Sequence, residues 1–267
     1  MASGPGPDQI TPRPIKRRRR IDKRREHTDS PRIDLRFHTD QPLRPTTGGH
    51  SEDTGVVGLV VVQDALGVWS AIRGFAAEAA QLGYLTAAPH LYHRAGSPVF
   101  ESSENFDEIR PYMNGLTGDS IVEDVSAAIA LLRQQGARKV AIAGFCMGGT
   151  VALFSAANLP VDAAVTYYGG GLAEERWPGV EHGLASAGKL QAPWLGIYGS
   201  LDKGNPPEVL DLLDQARAHS AAPSSVAVFR GVDHAFSIGP GVFPGYSPQE
   251  AALAHQLGWD FLARALS

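Results

Sequence analysis

One residue in this 267-residue chain combines a strongly nucleophilic side chain with a setting that would use it: the single cysteine, Cys146. It stands in Val140-Ala141-Ile142-Ala143-Gly144-Phe145-Cys146-Met147-Gly148-Gly149, where an apolar run passes into a helical pattern through Gly-x-Cys-x-Gly. This is the spacing of a nucleophile elbow, with sulfur in the usual serine position. The sharp turn strains the backbone at the nucleophile and leaves little room beside it, which explains Gly144 and Gly148. The helix that follows offers free N–H groups and the positive end of a dipole, a setting that favours thiolate over thiol.

A thiolate nucleophile needs a base and a group to orient that base. After such an elbow the expected order is an acid past a later strand and then a histidine past the last one. Asp202 fits the first place, in Tyr198-Gly199-Ser200-Leu201-Asp202, and His234 the second, in Gly231-Val232-Asp233-His234-Ala235-Phe236. Taken singly, Asp202 reads as a cap for the helix near Pro206 and His234 as a loop residue. Three such residues at strand ends in the right order read as a triad. Asp233 is a rival acid, but immediate neighbours in sequence usually point apart.

Other candidates carry less. His90 and His93 are three apart, yet no cysteine or carboxylate completes a metal site around them, so no metal is expected. Ser155 and Ser200 lack elbow contexts. Trp69, Trp177, Trp194 and Trp259 read as core or pocket wall. No G-x-G-x-x-G or P-loop follows a strand, so no nucleotide cofactor is expected.

The elements that must position these residues follow from alternating apolar patterns. Val56 to Gln63 predicts a buried strand and Trp69 to Leu82 a helix; Tyr84 to Ala88 is a short strand, and Ile121 to Gln135 an amphipathic helix stopped by Gly136. Strands at Lys139 to Phe145, Ala163 to Tyr168, Trp194 to Tyr198 and Ser225 to Phe229 alternate with helices at Met147 to Asn158, Pro206 to His219 and Pro248 to Leu266. Ile33 to Phe37 reads as a first edge strand. Residues 94–119 and 169–190 take no assignment. The alternation is that of an α/β fold, a mainly parallel central sheet with helices on both faces. Both unassigned stretches follow strand ends, where open α/β sheets bind ligands.

Composition agrees with one large α/β domain: 43% hydrophobic and 19% charged residues exclude a wholly disordered chain. No apolar run reaches the length of a membrane span, so no membrane partner is expected. A lone cysteine forms no internal disulfide, which favours a reducing compartment, and the cationic block near the start has no apolar region behind it. Cytoplasm is the expected location. Residues 1–32 hold ten Lys and Arg against four acids, with five prolines. That segment reads as a disordered basic tail ahead of a domain at 33–267. Its Lys16-Arg17-Arg18-Arg19-Arg20 run is the one feature suited to nucleic acid or anionic lipid, though an unselected leader explains it as well.

Five segments together resemble the dienelactone hydrolase family of the α/β-hydrolase superfamily. They are Gln63-Asp64-Ala65-Leu66-Gly67-Val68, Pro89-His90-Leu91-Tyr92, the cysteine elbow, Tyr167-Tyr168-Gly169 and the His234 segment. The resemblance runs from about Val56 to the C-terminus and implies the α/β-hydrolase fold. It also implies cofactor-independent cleavage of a lactone or ester through an acyl-enzyme. Cys146 would be the nucleophile, His234 base then acid, and Asp202 the residue that holds the tautomer. The backbone N–H groups of Ala65 and Met147 would meet the oxyanion.

The family carries glutamate where this chain has Asp64, a shorter supporting carboxylate. An arginine that follows the histidine in the family's prototype is Ile238 here. Arg110 is left as a substrate-carboxylate partner, with Tyr168 as a second substrate contact. The expected partner is therefore a small-molecule lactone or ester, and the chain a monomer or homodimer. A carboxylesterase or thioesterase of the same fold, or an idle hydrolase scaffold recruited by its tail, are the alternatives.

Overall fold

All six residues of Val57–Val62 are buried, which is why this apolar run forms a strand inside the sheet. The computed structural model describes Met1, residues 33–37 and residues 55–267. The expected basic tail therefore lies outside the described residues, apart from Met1. In chain order the elements are β1 (Ile33–Phe37), β2 (Val57–Val62), α1 (Ser70–Gln81), β3 (Leu85–Ala87), α2 (Phe106–Asn114), α3 (Gly118–Gln134), β4 (Lys139–Phe145), α4 (Met147–Asn158), β5 (Ala163–Tyr167), α5 (Gly183–Ala187), β6 (Trp194–Gly199), α6 (Pro207–Arg217), β7 (Ser224–Phe229) and α7 (Pro248–Ala265), with a 3₁₀ turn at His93–Ala95.

These make a seven-stranded sheet in the order β1-β7-β6-β5-β4-β2-β3. Strands β2 to β7 run parallel, and β1 pairs antiparallel with β7 at the edge. Right-handed crossovers fix the faces. The chain steps outward from β2 to β3 and then back past β2 to β4, so α1 and α3 lie on opposite sides. Helix α7 joins α1, with the Trp259 ring stacked on Phe75 at 4.6 Å and its Nε1 donating to Glu78 at 2.9 Å. Helices α4, α5 and α6 pack in succession on the other side. The expected α/β architecture is the one observed.

Differences from the sequence reading are local. Helix α3 starts ahead of its apolar pattern because Thr117 and Ser120 form a capping box, each side chain accepting the other's backbone N–H. The two unassigned stretches contain α2, interrupted by Pro111, and α5, which has only five residues. Neither is long enough for periodicity to reveal.

Beneath the elbow, Phe145 and Tyr167 are register partners on β4 and β5, with rings stacked at 4.4 Å. Phe75 meets Phe145 edge-on at 4.9 Å. This aromatic layer fills the sheet under the strand end that carries Cys146.

Candidate active site

The elbow's geometry follows from its glycines. A Cβ on Gly144 would run into the Gly148 carbonyl, and one on Gly148 into the Gln63 and Val62 carbonyls. With neither present, the first turn of α4 settles directly onto the ends of β2 and β4. Cys146 then sits immediately before α4 with φ 53° and ψ −116°, a conformation costly for any residue with a side chain. Among the described residues four non-glycines have positive φ, and three of them, Cys146, Tyr168 and Ala235, line one cavity. Strain is concentrated where the chemistry would be.

Two adjacent loops carry the acid and the histidine. Ser200 N donates to Phe229 O and Leu201 N to Val232 O, both at 2.9 Å, so the chain after β6 is zipped to the chain after β7. Asp202 and His234 consequently meet: Asp202 Oδ2 lies 2.8 Å from His234 Nδ1. The buried carboxylate also accepts Asn205 Nδ2 at 2.9 Å and Gly204 N at 2.8 Å. Burial works to raise its pKa, but the hydrogen bond and charge of His234, with Asn205 and Gly204, hold it below the ordinary carboxylate value. Asp233 is spent on the backbone N–H of His234 at 2.7 Å and faces solvent, which leaves Asp202 as the acid.

His234 Nδ1 is occupied by Asp202, and the ring shares the cavity wall with Cys146, whose sulfur acts on it electrostatically. Burial disfavours the charged imidazole. That is the largest single effect, but the influence of the Cys146 sulfur together with the hydrogen bond and charge of Asp202 exceeds it and pushes the His234 pKa up to about 10. The structure thus pairs Asp202 with His234 and sets that imidazole in the same cavity as Cys146.

Met147 is the first residue of α4, and Ala65 lies in the turn after β2; among the described residues neither backbone N–H donates to a partner. For Met147 this is the usual state of a helix's first turn. Both residues are buried; Ala65 lines the sulfur's cavity, and Met147 directly follows Cys146. Asp64 does not use its carboxylate on Cys146. Its Oδ1 accepts Leu66 N at 2.8 Å and its Oδ2 accepts Trp69 Nε1 at 3.0 Å.

The cavity is about 310 Å³, enough for a small organic molecule. Phe106, Met113, Ile238 and Phe243 give it an apolar wall. Tyr168 lines it too, but its hydroxyl is engaged by Ser237 at 3.1 Å and its ring stands edge-on to His234 at 5.1 Å. Arg110 is not brought to the cavity: it lies exposed on α2, paired with Asp107 at 3.2 Å and above the Phe106 ring. The cavity's arginine is Arg176, which sequence reading missed because its stretch carries no periodic signal. Arg176 lies over the Trp177 ring at 5.4 Å and against the bare face of Gly170, and among the described residues it makes no ion pair.

Among the described residues no group of three or more His, Cys, Asp or Glu is placed to hold a metal ion. His93 instead contacts Asp124 at 3.0 Å. No described helix is long and apolar enough to cross a membrane.

Comparison with known proteins gives a consistent picture. An Escherichia coli O157:H7 protein named "Putative carboxymethylenebutenolidase" is 30% identical over 209 residues, covering 76% of this chain and 73% of the relative. The Rhodococcus opacus carboxymethylenebutenolidase is 28% identical over 192 residues, covering 71% and 74%. Among solved structures, a Klebsiella pneumoniae protein described as a "Putative Dienelactone Hydrolase" superposes with a TM-score of 0.69 at 26% identity, over 87% of this chain and 99% of that one. The sequence pattern of the dienelactone hydrolase family matches residues 47–266, and the chain belongs to that family of ester- and lactone-cleaving hydrolases.

Proposed function

We propose that the chain hydrolyses a small lactone or ester through a covalent acyl-enzyme on Cys146, with no cofactor. The observation that carries this reading is the Asp202–His234 pair set in one cavity with Cys146, beside two backbone N–H groups that lack partners among the described residues.

In the first half-reaction His234 Nε2 takes the Cys146 proton as the sulfur attacks the carbonyl carbon, and a C–S bond forms as the carbonyl π pair moves onto oxygen. Ala65 N–H and Met147 N–H receive that oxyanion, each worth about 10²–10³ in rate by comparison with known oxyanion donors. As the tetrahedral species collapses, the C–O bond to the leaving group breaks and His234 Nε2 delivers a proton to the departing oxygen. His234 then takes a proton from water, whose oxygen attacks the thioester; the C–S bond breaks, the departing sulfur takes that proton back from His234, and the acid product is released. Asp202 fixes Nδ1–H toward itself throughout, so Nε2 stays aimed at the sulfur. In a lactone the leaving oxygen remains tethered to the acyl group, and one hydroxy-acid is released.

The test is turnover of p-nitrophenyl acetate and of a small enol-lactone by the full chain, with Cys146→Ala and His234→Ala. The reading requires loss of turnover in both variants. It also requires an acyl adduct of matching mass on the wild-type protein, removed when Cys146 is first alkylated. A wild-type chain that cleaves neither compound, or a Cys146→Ala variant that still does, overturns it.

A further inference from the structure

Tyr92 stands apart from the triad but touches both residues assigned to the oxyanion. It follows β3 in the Pro89-His90-Leu91-Tyr92 segment and is buried. The segment is fastened to the end of β2, where Gln63 Oε1 accepts Leu91 N at 3.0 Å. From there the Tyr92 hydroxyl reaches both the turn after β2 and the start of α4. Its oxygen lies 3.1 Å from the Ala65 carbonyl and 3.2 Å from Met147 Sδ.

These two acceptors belong to different parts of the fold, one to the turn after β2 and the other to the first residue of α4. A single hydroxyl proton is shared between them, with the carbonyl the stronger acceptor and the thioether the weaker. Burial and the nearby charges of Asp64 and Cys146 keep that hydroxyl protonated, so it remains a donor across the working range. The Ala65 carbonyl and the Leu66 N–H share one rigid peptide plane, held at one edge by Tyr92 and at the other by Asp64, and the Ala65 N–H is joined to that plane through a single Cα. Asp64 holds the far side of the same turn through Leu66 N.

We infer that Tyr92 is a positioning residue for the oxyanion site: its hydroxyl sets the separation of the Ala65 and Met147 N–H groups by holding the carbonyl of one and the side chain of the other. The inference rests on the hydrolytic reading of the site. It adds a specific consequence, that loss of one remote oxygen weakens stabilisation of the tetrahedral species while leaving the Cys146 sulfur and the cavity as they were. A misplacement of about 1 Å is enough to lose much of such an effect.

The experiment compares wild type with Tyr92→Phe in two reactions of the same sulfur. Acyl transfer from p-nitrophenyl acetate passes through an oxyanion; alkylation by iodoacetamide is a displacement at carbon and does not. The expected result is a kcat at least about tenfold lower in Tyr92→Phe, out of the 10²–10³ a whole donor commands. KM and the alkylation rate should stay within about twofold of wild type. Met147→Leu, which keeps the bulk and removes the sulfur, should lower kcat in the same direction, and it serves as the readout if Tyr92→Phe fails to fold. Acyl transfer and alkylation falling together would make Tyr92 merely structural and overturn the inference. An unchanged kcat in Tyr92→Phe, with an active wild type, overturns it while leaving the hydrolytic reading intact. A wild type without ester turnover overturns both.

Discussion

The Asp64 carboxylate grips the Trp69 indole, with Oδ2 to Nε1 at 3.0 Å, and so ties the turn that carries Ala65 to the residue preceding α1. The acid at this position braces the oxyanion loop and does not touch the sulfur. Its other oxygen takes Leu66 N, which leaves the carboxylate spanning the turn.

Asp64 predicts a pH dependence of stability. Burial raises its pKa to about 7, against the opposing pull of Leu66 N, Trp69 Nε1 and the charge of His234. An acid raised above its unfolded value of 3.8 binds a proton in the fold that it gives up on unfolding. Its contribution is therefore full below about pH 4 and is lost as pH rises through 7. Melting of wild type and Asp64→Asn between pH 5 and pH 8 should show wild type losing ground against the variant. A constant difference would mean that Asp64 ionises as an ordinary carboxylate.

His234 has the same sign from the opposite chemistry. Held up to about 10, it contributes stability that is complete below pH 6.5 and lost as pH climbs through 10. Chemical denaturation of wild type should weaken from pH 7 to pH 10, and His234→Gln should flatten that trend. Asp202→Asn attacks the same ring by another route. It leaves space unchanged but disturbs the tautomer, and kcat should fall by about 10²–10⁴ with little change in KM.

Gly148→Ala should damage stability and rate together. The new methyl meets the Gln63 and Val62 carbonyls, which are backbone atoms and cannot swing aside. A loss of at least about 1–3 kcal/mol is expected in denaturant titration, as for overpacked cores. Because the displaced backbone lies between Cys146 and the β2 end, kcat should fall even in the fraction that remains folded.

Arg176 predicts substrate preference. A cation in a largely apolar cavity, without an ion-pair partner among the described residues, favours an ester that carries a carboxylate. Arg176→Met should lower kcat/KM for such an ester by about tenfold, one charged hydrogen bond's worth, relative to a neutral ester of the same size. Equal losses on both would assign Arg176 to loop packing.

What the sequence could disclose follows from where each residue sits. Cys146, Asp202 and His234 stand just past buried strands, so apolar runs announce their positions and only the pairing across the two loops had to be supplied by the fold. Ala65 was legible for the same reason. Arg176 and Arg110 lie in stretches with no period, where nothing in the chain says which guanidinium turns inward; the structure pairs Arg110 with Asp107 and leaves Arg176 at the cavity. Tyr92 was visible as part of a short motif, but its task depends on two acceptors from distant elements. No local pattern encodes such a meeting.

Strand β1 has a consequence for any shortened form of the chain. By lying antiparallel along β7 it supplies the hydrogen-bonding partners on the outer flank of the strand that leads to the His234 loop, and Arg36 secures it to Asp211 and Asp214 on α6. Removing residues through Phe37 would bare a long row of amide and carbonyl groups. The histidine's support would then lie on a naked β ribbon, open to fraying and to sticking edge-to-edge with another copy.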